Sequence, residues 1–412
     1  MMIYVPFIYF LSLAIIIIKK RGLDVSAYIS LLYALTSFFS ILYYNNGAPE
    51  LYKDACSFFP TLIYCTLISL SILPVYKFNT TGLQRIVLPN TIAIKSLAYL
   101  YFVIFIVLLV AYRDDFVYIL SFGDFAELRG DGVDDKYVFT QYGGVVGLVI
   151  SLFSILASMS YIMIPVSFML ILSKNRWYLS VMALIGSLSA ILIGVLGIDR
   201  SKSLYWVLIL GLSIVVFWRN MSMRARKMVL VLSAIMLVGV LGYFASVTTD
   251  RFEDSDMGVE GGVVSYAGQP FINFCYFWEN FDNGESFSTR YLFPIINYFI
   301  LGEYQGSNAL QQEMTMRTGI ESGVFYSFLG NFILDNNQKG PFIYMLLYLL
   351  QFAICVMFVR RRQVSLFWFF YFLFLAIVPT CGIISYVYTS TTMKLSAWAI
   401  MIFVAMTYLQ KK

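Results

Sequence analysis

Residues 96–112 read SLAYLYFVIFIVLLVAY, a run of 17 residues without one charged side chain. As an α-helix, such a run nearly crosses the hydrocarbon core of a bilayer, which is about 30 Å thick. The rest of the chain has the same character, because 60% of its 412 residues are hydrophobic and only 12% are charged. A soluble domain does not need that much apolar surface. The sequence therefore predicts an all-α, polytopic integral membrane protein.

Eleven apolar runs along the chain predict about 11 transmembrane helices. They lie near residues 2–18, 25–44, 57–76, 96–112, 143–172, 177–196, 204–218, 228–246, 341–359, 364–379 and 395–409. The first run ends in three basic residues and lacks a small-residue cleavage site, so we expect an uncleaved span. The predicted organisation is a bundle of spans 1 to 8 over residues 1–246, a large loop over 247–340, and spans 9 to 11 over 341–412.

The basic residues orient this bundle, because short loops rich in Lys and Arg stay in the cytoplasm. Seventeen of the 28 cations lie on alternate connections, with one acid beside them: Lys19, Lys20, Arg21, Lys77, Arg85, Lys95, Lys174, Arg176, Arg219, Arg224, Arg226, Lys227, Arg360, Arg361, Arg362, Lys411 and Lys412. The N-terminus and the loops 113–142 and 247–339 then face outward, and the C-terminus faces the cytoplasm. The net charge of +5 averages a basic inner and an acidic outer face, so we expect no nucleic acid as a partner.

The longer outer loop differs from an ordinary solvated loop. Its stretches PFINFCYFWENF (270–281) and TRYLFPIINYFIL (289–301) are aromatic and apolar around much of a helical circumference. We expect amphipathic helices that lie in the membrane interface or dip into it, with the apolar face against lipid. A span at 289–301 would invert every later connection and misplace the basic cluster 360–362, so we expect none there.

The inventory of catalytic side chains is narrow. The chain contains no histidine, which excludes Ser-His-Asp and Cys-His centres, histidine-ligated metals and a histidine general base. No phosphate loop of the form G-x-x-x-x-G-K-[ST] occurs, so ATP-driven transport is unsupported. The triplet DSD (254–256) has the D-x-D form of a metal motif, but such triplets arise easily in an acidic loop, and we expect no metal and no cofactor. Cys56 and Cys275 could meet on the outer side, whereas the odd count of five cysteines argues against a disulfide framework.

The turn GIDRSKS (197–203) places Arg200 and Lys202 on the outer face, where the orientation rule disfavours cations. Two interpretations are open. Short loops tolerate such charges, which Asp199 partly neutralises; alternatively, an anion binds this face, and arginine suits phosphate because its planar fork binds bidentately. Four more arginines on the outer loops are candidate ligands of the same anion: Arg129, Arg251, Arg290 and Arg317.

Arginines and carboxylates on the outer face of an apolar bundle suit an amphiphilic substrate whose phosphate lies at the headgroup level. An ion or proton transporter would instead carry charges near the middle of its spans. Here the predicted span interiors are almost free of charge, and Lys394 approaches one at its outer end. The lipid bilayer and a lipid-linked anion are therefore the expected partners.

With these features the chain resembles the bacterial oligosaccharide repeat-unit polymerases, the Wzy-type O-antigen polymerases. The layout of spans, basic cytoplasmic side and one large periplasmic loop is similar over the full length. The stretch GVFYSFLGNFILDNNQKGPF (323–342) resembles the family pattern N-V-F-T-x-L followed by D-F-G-x-x-G, with Asp335 and Gly340 in place. Asn337 stands where the family has its middle glycine, and Tyr326 where it often has Thr. Arg129, after FAEL, and Arg200 also resemble recurring family positions.

The resemblance implies a membrane glycosyltransferase that joins undecaprenyl-pyrophosphate-linked oligosaccharide units at the periplasmic face of the inner membrane. The arginines would bind the leaving pyrophosphate. A carboxylate would take the proton of the acceptor hydroxyl, with Glu321 and Asp335 as candidates, although Asp335 could instead be a helix N-cap before Pro341. A chain-length regulator is a possible protein partner.

Two alternatives remain open at the level of sequence. An O-antigen ligase uses the same donor, but that family typically carries a loop histidine, which this chain lacks. A lipid-linked oligosaccharide flippase or other transporter would need charged residues lining a central cavity and a smaller outer loop.

Overall fold

The computed structural model describes residues 2–83, 85–87, 91–122, 142–173, 177–252, 258–282, 284, 288–294, 298–299, 302, 307–359 and 363–409. Within these ranges the chain is almost entirely helical. The first helices are Val5–Arg21 (α1), Val25–Asn46 (α2), Glu50–Asp54 (α3), Phe58–Phe78 (α4), Thr91–Ala111 (α5), Arg113–Phe122 (α6), Gly144–Ala157 (α7), Met163–Leu172 (α8) and Trp177–Gly186 (α9). Those that follow are Ser189–Leu196 (α10), Ser201–Phe217 (α11), Met223–Phe252 (α12), Gly258–Asn280 (α13), Ser307–Thr318 (α14), Ser327–Asn336 (α15), Gly340–Met357 (α16), Leu366–Cys381 (α17) and Thr391–Leu409 (α18).

The described ranges hold eight helices that are long and apolar enough to cross a membrane, or nine if one bent pair counts as a single span. That pair, Gly144–Ala157 and Ser160–Leu172, is bent by 58°. The break falls at residues 158–159, six residues before Pro165, whose missing N–H removes the α-helical bond back to residue 161. The predicted runs 364–379 and 395–409 coincide with the shorter apolar helices α17 and α18. The all-α, multi-pass character is confirmed, with eight helices rather than 11 meeting the length and hydropathy required of a span.

A small parallel strand pair departs from the all-α prediction. Strand β1 (Arg85–Val87) pairs with β2 (Gln363–Ser365), with Ile86 opposite Val364. Each strand has only three residues, which is too short for an alternating pattern to predict it.

The chain forms two compact units that cut across the three segments expected from the sequence. The first unit comprises Met1–Val87 and Glu260–Lys394, and the second comprises Leu88–Val259 and Leu395–Lys412. The first unit therefore combines helices α1 to α4 with most of the predicted outer loop. That loop is an integral part of a packed unit.

Helix α13 packs inside the first unit, although the stretch 270–281 was expected to face lipid. Residues 270–278 are all buried, and the Tyr64 ring on α4 lies 5.0 Å from that of Phe271. The Ser40 hydroxyl on α2 donates to the Gly268 carbonyl at 2.8 Å, and a Cβ at Gly268 would lie 2.5 Å from the Phe39 oxygen. The expectation of a lipid-facing surface was wrong for this stretch, because an apolar pattern does not distinguish lipid from protein as its partner.

The second apolar stretch of the outer loop, 289–301, begins as a turn and is helical at the described residues that follow. Residues 290–292 form the turn, residues 294, 298 and 299 are helical, and residues 295–297 and 300–301 lie outside the described ranges. The described residues therefore agree with a helix that begins after residue 293, and whether this helix is amphipathic stays a prediction.

In the second unit, side chains satisfy the backbone groups that become free where helices break. The carbonyl of Leu156, at the end of α7, accepts from the Tyr101 hydroxyl at 3.1 Å and the Ser396 hydroxyl at 2.8 Å. The Ser160 hydroxyl donates to the Ser187 carbonyl at 3.0 Å and accepts from the Ala190 N–H at 2.9 Å. In a lipid environment such pairing is required, because no water is available to satisfy these groups.

Candidate functional site

The buried helix α15 positions the candidate site of the first unit. All ten of its residues are buried, and residues with positive φ mark its ends, Ser327 at 59° and Asn337 at 51°. The chain then turns sharply into α16, because Gly340 sits against the Phe332 carbonyl, where a Cβ would be only 1.8 Å from the oxygen. Glycine alone permits this approach. The polar residues at the end of α15 are thereby fixed beside the start of α16.

Asp335 holds the turn that follows Thr289. Its Oδ1 accepts from the Tyr291 N–H at 2.8 Å, and its Oδ2 accepts from the Leu292 N–H at 2.9 Å and from the Tyr344 hydroxyl at 3.3 Å. The side chain is completely buried. Asp335 lies inside α15, and Lys339 occupies the N-cap position of α16, so the prediction that Asp335 caps the helix before Pro341 was wrong. A carboxylate whose oxygens both bind backbone amides acts here as an anchor.

Two asparagines on α15 extend this anchoring to other segments. Asn336 exchanges hydrogen bonds with the backbone of Ser288, donating to its carbonyl and accepting from its N–H at 3.0 Å each. Asn331 accepts from the Tyr386 N–H at 2.6 Å and donates to the Tyr291 hydroxyl at 3.1 Å. The segments around residues 288–292 and 386 are therefore both attached to one helix.

Lys394, in the first turn of α18, belongs to the same network. Its ammonium group donates to the carbonyls of Leu292 and Thr389 and lies 5.2 Å from the centre of the Phe293 ring. The ammonium group also lies within range of the Asp335 charge. The sequence indicated Lys394 only as a cation near the end of a span. The structure shows that it binds the backbone carbonyls of Leu292 and Thr389.

Arg290 projects from the turn held by Asp335 and forms a bidentate pair with Glu313 of α14. The two nitrogen–oxygen distances are 3.2 and 3.0 Å. Arg317 follows Glu313 by one helical turn and is exposed; one of its terminal nitrogens would lie 3.5 Å from a Cβ built on Gly284. The structure thus brings Arg290 and Arg317, two of the predicted ligands, to the surroundings of one helix.

Glu321, the other predicted base, is exposed on the connection between α14 and α15. Its Oε1 accepts the Gly323 N–H at 3.0 Å, which leaves the second oxygen for another contact. The phenols of Tyr52 and Tyr326 lie within range of its charge. Burial raises the pKa of both phenols, and they therefore stay protonated at neutral pH. Between Glu321 and Asp335, the geometry favours Glu321 as the proton acceptor, because it can reach a substrate.

Arg200 lies in the second unit and is buried, with 8% of its surface exposed. One terminal nitrogen donates to the Thr248 hydroxyl at 3.0 Å, beside an apolar cluster that includes Ile198 and Val247. In the same turn Asp199 lies 3.7 Å from the Lys202 ammonium group, in agreement with partial neutralisation of this loop. A buried arginine bonded to a neighbouring helix has a packing role, and its role as a pyrophosphate ligand stays a prediction.

The remaining predicted positions lie outside the described part of the chain. Arg129 falls in the gap between residues 122 and 142, and the DSD triplet falls in 253–257. The backbone of Arg251 ends α12, but its side chain is not among those described. In the parts of the chain that are described, no three side chains of His, Cys, Asp or Glu are grouped to hold a metal ion.

Sequence reasoning missed Asn331, Asn336 and Tyr291 as members of this site. A signal for them exists: residues 331–338 read NFILDNNQ, in which polar side chains recur at helical spacing beside a segment that is otherwise apolar. Such residues inside an apolar helix must find partners in the protein. Comparisons of the chain with protein-family models, with curated proteins and with solved structures gave no match.

Proposed function

We propose that this chain is a membrane glycosyltransferase that polymerises undecaprenyl-pyrophosphate-linked oligosaccharide units into an O-antigen or capsule-type polysaccharide. The observation that carries the proposal is the role of the segment 323–342. It resembles the polymerase pattern, and its Asp335 holds the turn from which Arg290 projects. The segment that resembles the polymerase pattern thus coincides with the part of the fold that arranges two arginines near the exposed carboxylate of Glu321.

In this reaction the acceptor hydroxyl attacks the anomeric carbon of the growing glycan. A new glycosidic bond forms, the bond from that carbon to the pyrophosphate oxygen breaks, and undecaprenyl pyrophosphate leaves with the bonding electrons. The hydroxyl proton passes to Glu321. Arg290, which pairs with Glu313 through both terminal nitrogens, and the exposed Arg317 on the same helix as Glu313 would stabilise the charge on the leaving group.

The proposed orientation puts this site on the periplasmic face of the bacterial inner membrane, with the N-terminus outside, the C-terminus inside and 11 spans. The pairing of β1 with β2 supports this topology. Paired strands lie on one side of a membrane, so an even number of spans separates residues 87 and 363. The predicted runs give six, and a further span at 289–301 would give seven. The Arg21 guanidinium also lies 3.6 Å from the Tyr76 ring centre, so two connections that the proposal assigns to the same side are in contact.

Orientation can be tested with single cysteines at Ser222 and Asp282, both exposed, in a cysteine-free protein. A membrane-impermeant maleimide added to intact cells with a permeabilised outer membrane is expected to label position 282 and not position 222. Labelling of position 222 alone would overturn the orientation.

The reaction is tested by deleting the gene in its host and examining the surface polysaccharide. We expect a lipid core that carries a single repeat unit and no longer chains. A core without any repeat unit would refute polymerisation in favour of a ligase or a flippase, and an unchanged ladder would refute a role in this polysaccharide.

Complementation with Glu321→Gln tests the site. The amide keeps the shape of the side chain but cannot accept a proton, and loss of a general base costs about 10² to 10⁴ in rate. We therefore expect single repeat units with normal amounts of protein. Glu260→Gln is the matched control, because Glu260 is also an exposed carboxylate of the same predicted loop, and it should restore the full ladder. Normal polymer from Glu321→Gln would remove Glu321 from the reaction.

A further inference from the structure

Helix α3 and the connection that follows it meet helix α13 at two neighbouring pairs of side chains. The rings of Tyr52 and Tyr276 stack with their centres 4.0 Å apart. The Ser57 hydroxyl contacts the Glu279 carboxylate at 3.1 Å. Cys56 lies between Tyr52 and Ser57 in the sequence, and Cys275 directly precedes Tyr276. The backbone around both thiols is therefore held in register by contacts that do not involve sulfur.

The two thiols are neighbours. The Cys56 thiol lies close enough to Cys275 to act on it electrostatically, and it donates to the Tyr52 carbonyl at 3.6 Å. Cys275 is completely buried, whereas Cys56 is only partly so. An oxidant can therefore react with the Cys56 thiol first. The Cys275 thiol is then near enough to attack the Cys56 sulfur and release the reduced oxidant.

We propose that Cys56 and Cys275 form a disulfide bond in the mature protein. Both thiols lose their protons, and the two sulfurs lose two electrons and form the S–S bond. A protein or small-molecule disulfide of the periplasm takes up the two electrons and two protons and leaves as a dithiol. The inference rests on the proposed topology, which places both segments in an oxidising compartment, and not on the proposed reaction.

The bond would fix the surroundings of Glu321. Tyr52, four residues before Cys56, lies within range of the Glu321 charge, and Tyr276 follows Cys275 directly. The other three cysteines, Cys65, Cys355 and Cys381, are buried in helices of the first unit. The odd count that argued against a disulfide framework is thus compatible with one specific pair and three thiols.

The number of free thiols tests the proposal. Cells are quenched with acid, the full-length protein is denatured, and a maleimide of large mass counts its thiols on a gel. We expect three adducts without reductant and five after reduction, since the chain has five cysteines. Cys56→Ser and Cys275→Ser should each show four adducts under both conditions. Peptide mapping without reductant should join the peptides that contain residues 56 and 275.

Cys65→Ser is the control, because Cys65 is the other thiol whose charge acts on Cys275. It should show two adducts without reductant and four with it. Four adducts from Cys65→Ser without reductant would mean that Cys65 belongs to the disulfide, and this result would overturn the proposed pairing. Five adducts in the unreduced wild-type protein would overturn the disulfide itself. Neither result touches polymerase activity, which the polysaccharide ladder reports separately.

Discussion

Replacing Asp335 by alanine removes the acceptor of three buried donors, the N–H groups of Tyr291 and Leu292 and the hydroxyl of Tyr344. A hydrogen bond to a charged group contributes about 1.5 to 3 kcal/mol. The two backbone bonds, at 2.8 and 2.9 Å, are well formed, whereas the phenol at 3.3 Å is farther away. We therefore expect Asp335→Ala to lower the free energy of unfolding of the first unit by about 3 to 6 kcal/mol.

Asp335→Asn should cost less. Asparagine keeps one oxygen for one backbone N–H but turns an NH₂ group toward the other, so about one strong bond is lost, about 2 to 3 kcal/mol. The control is Asp282→Asn. Asp282 also accepts two hydrogen bonds, from Asn337 at 2.8 Å and Gly284 at 2.9 Å, but it is exposed. Water can replace those partners, and the loss should stay below about 1 kcal/mol.

A thiol-reactive fluorogenic dye measures the unfolding temperature of each variant in detergent. Cys65, Cys355 and Cys381 are buried and react with the dye only on unfolding. The unfolding temperature should fall from wild type and Asp282→Asn to Asp335→Asn and then to Asp335→Ala. Unfolding of Asp335→Ala at the wild-type temperature would refute the anchoring argument. Activity of Asp335→Asn below its unfolding transition separates the two roles: retained polymerisation shows anchoring alone, and its loss in folded protein shows a part in proton transfer.

Three further sets of substitutions test other parts of the structure. Arg200→Ala should lower the unfolding temperature, and Thr248→Val should reproduce part of the loss; an unchanged temperature with lost polymer would instead support a pyrophosphate ligand. Arg290→Ala and Glu313→Ala should each weaken the protein by about 0.5 to 1 kcal/mol, and the double variant should cost less than their sum, as a thermodynamic cycle from melting curves would show. Gly382→Ala should destabilise by about 1 to 3 kcal/mol, because its Cβ would lie 2.5 Å from the Phe328 ring; normal melting would contradict that packing.

Apolar composition predicted the helices well because lipid and protein interiors select the same side chains. Every predicted run coincides with a helix or a bent helix pair. The same equivalence produced the error at 270–281, where the aromatic side chains pack against α4 and other segments of the same unit. Patterns of hydrophobicity report that a surface is removed from water and do not report what covers it.

The roles of single polar residues depend on contacts between distant segments, which the sequence does not show. Asp335 was recognised as important, but its partners Tyr291 and Leu292 lie more than 40 residues earlier. Glu321 and Arg317 were chosen from residue type and predicted side alone; the structure shows both side chains exposed, and their roles stay predictions. Arg200 looked equally exposed in the sequence and is buried in the structure.

The composition of the first unit has a consequence for the order of assembly. Its two parts, Met1–Val87 and Glu260–Lys394, are separated by 172 residues of the other unit. During synthesis, α1, α2 and α4 are expected to enter the membrane long before α13 and α15 exist, so their packing surfaces contact lipid or a chaperone until then. Contacts between such remote segments form slowly, because a long loop must close first. We therefore expect chains released before residue 280 to be recognised by quality-control proteases, however well their first three spans are inserted.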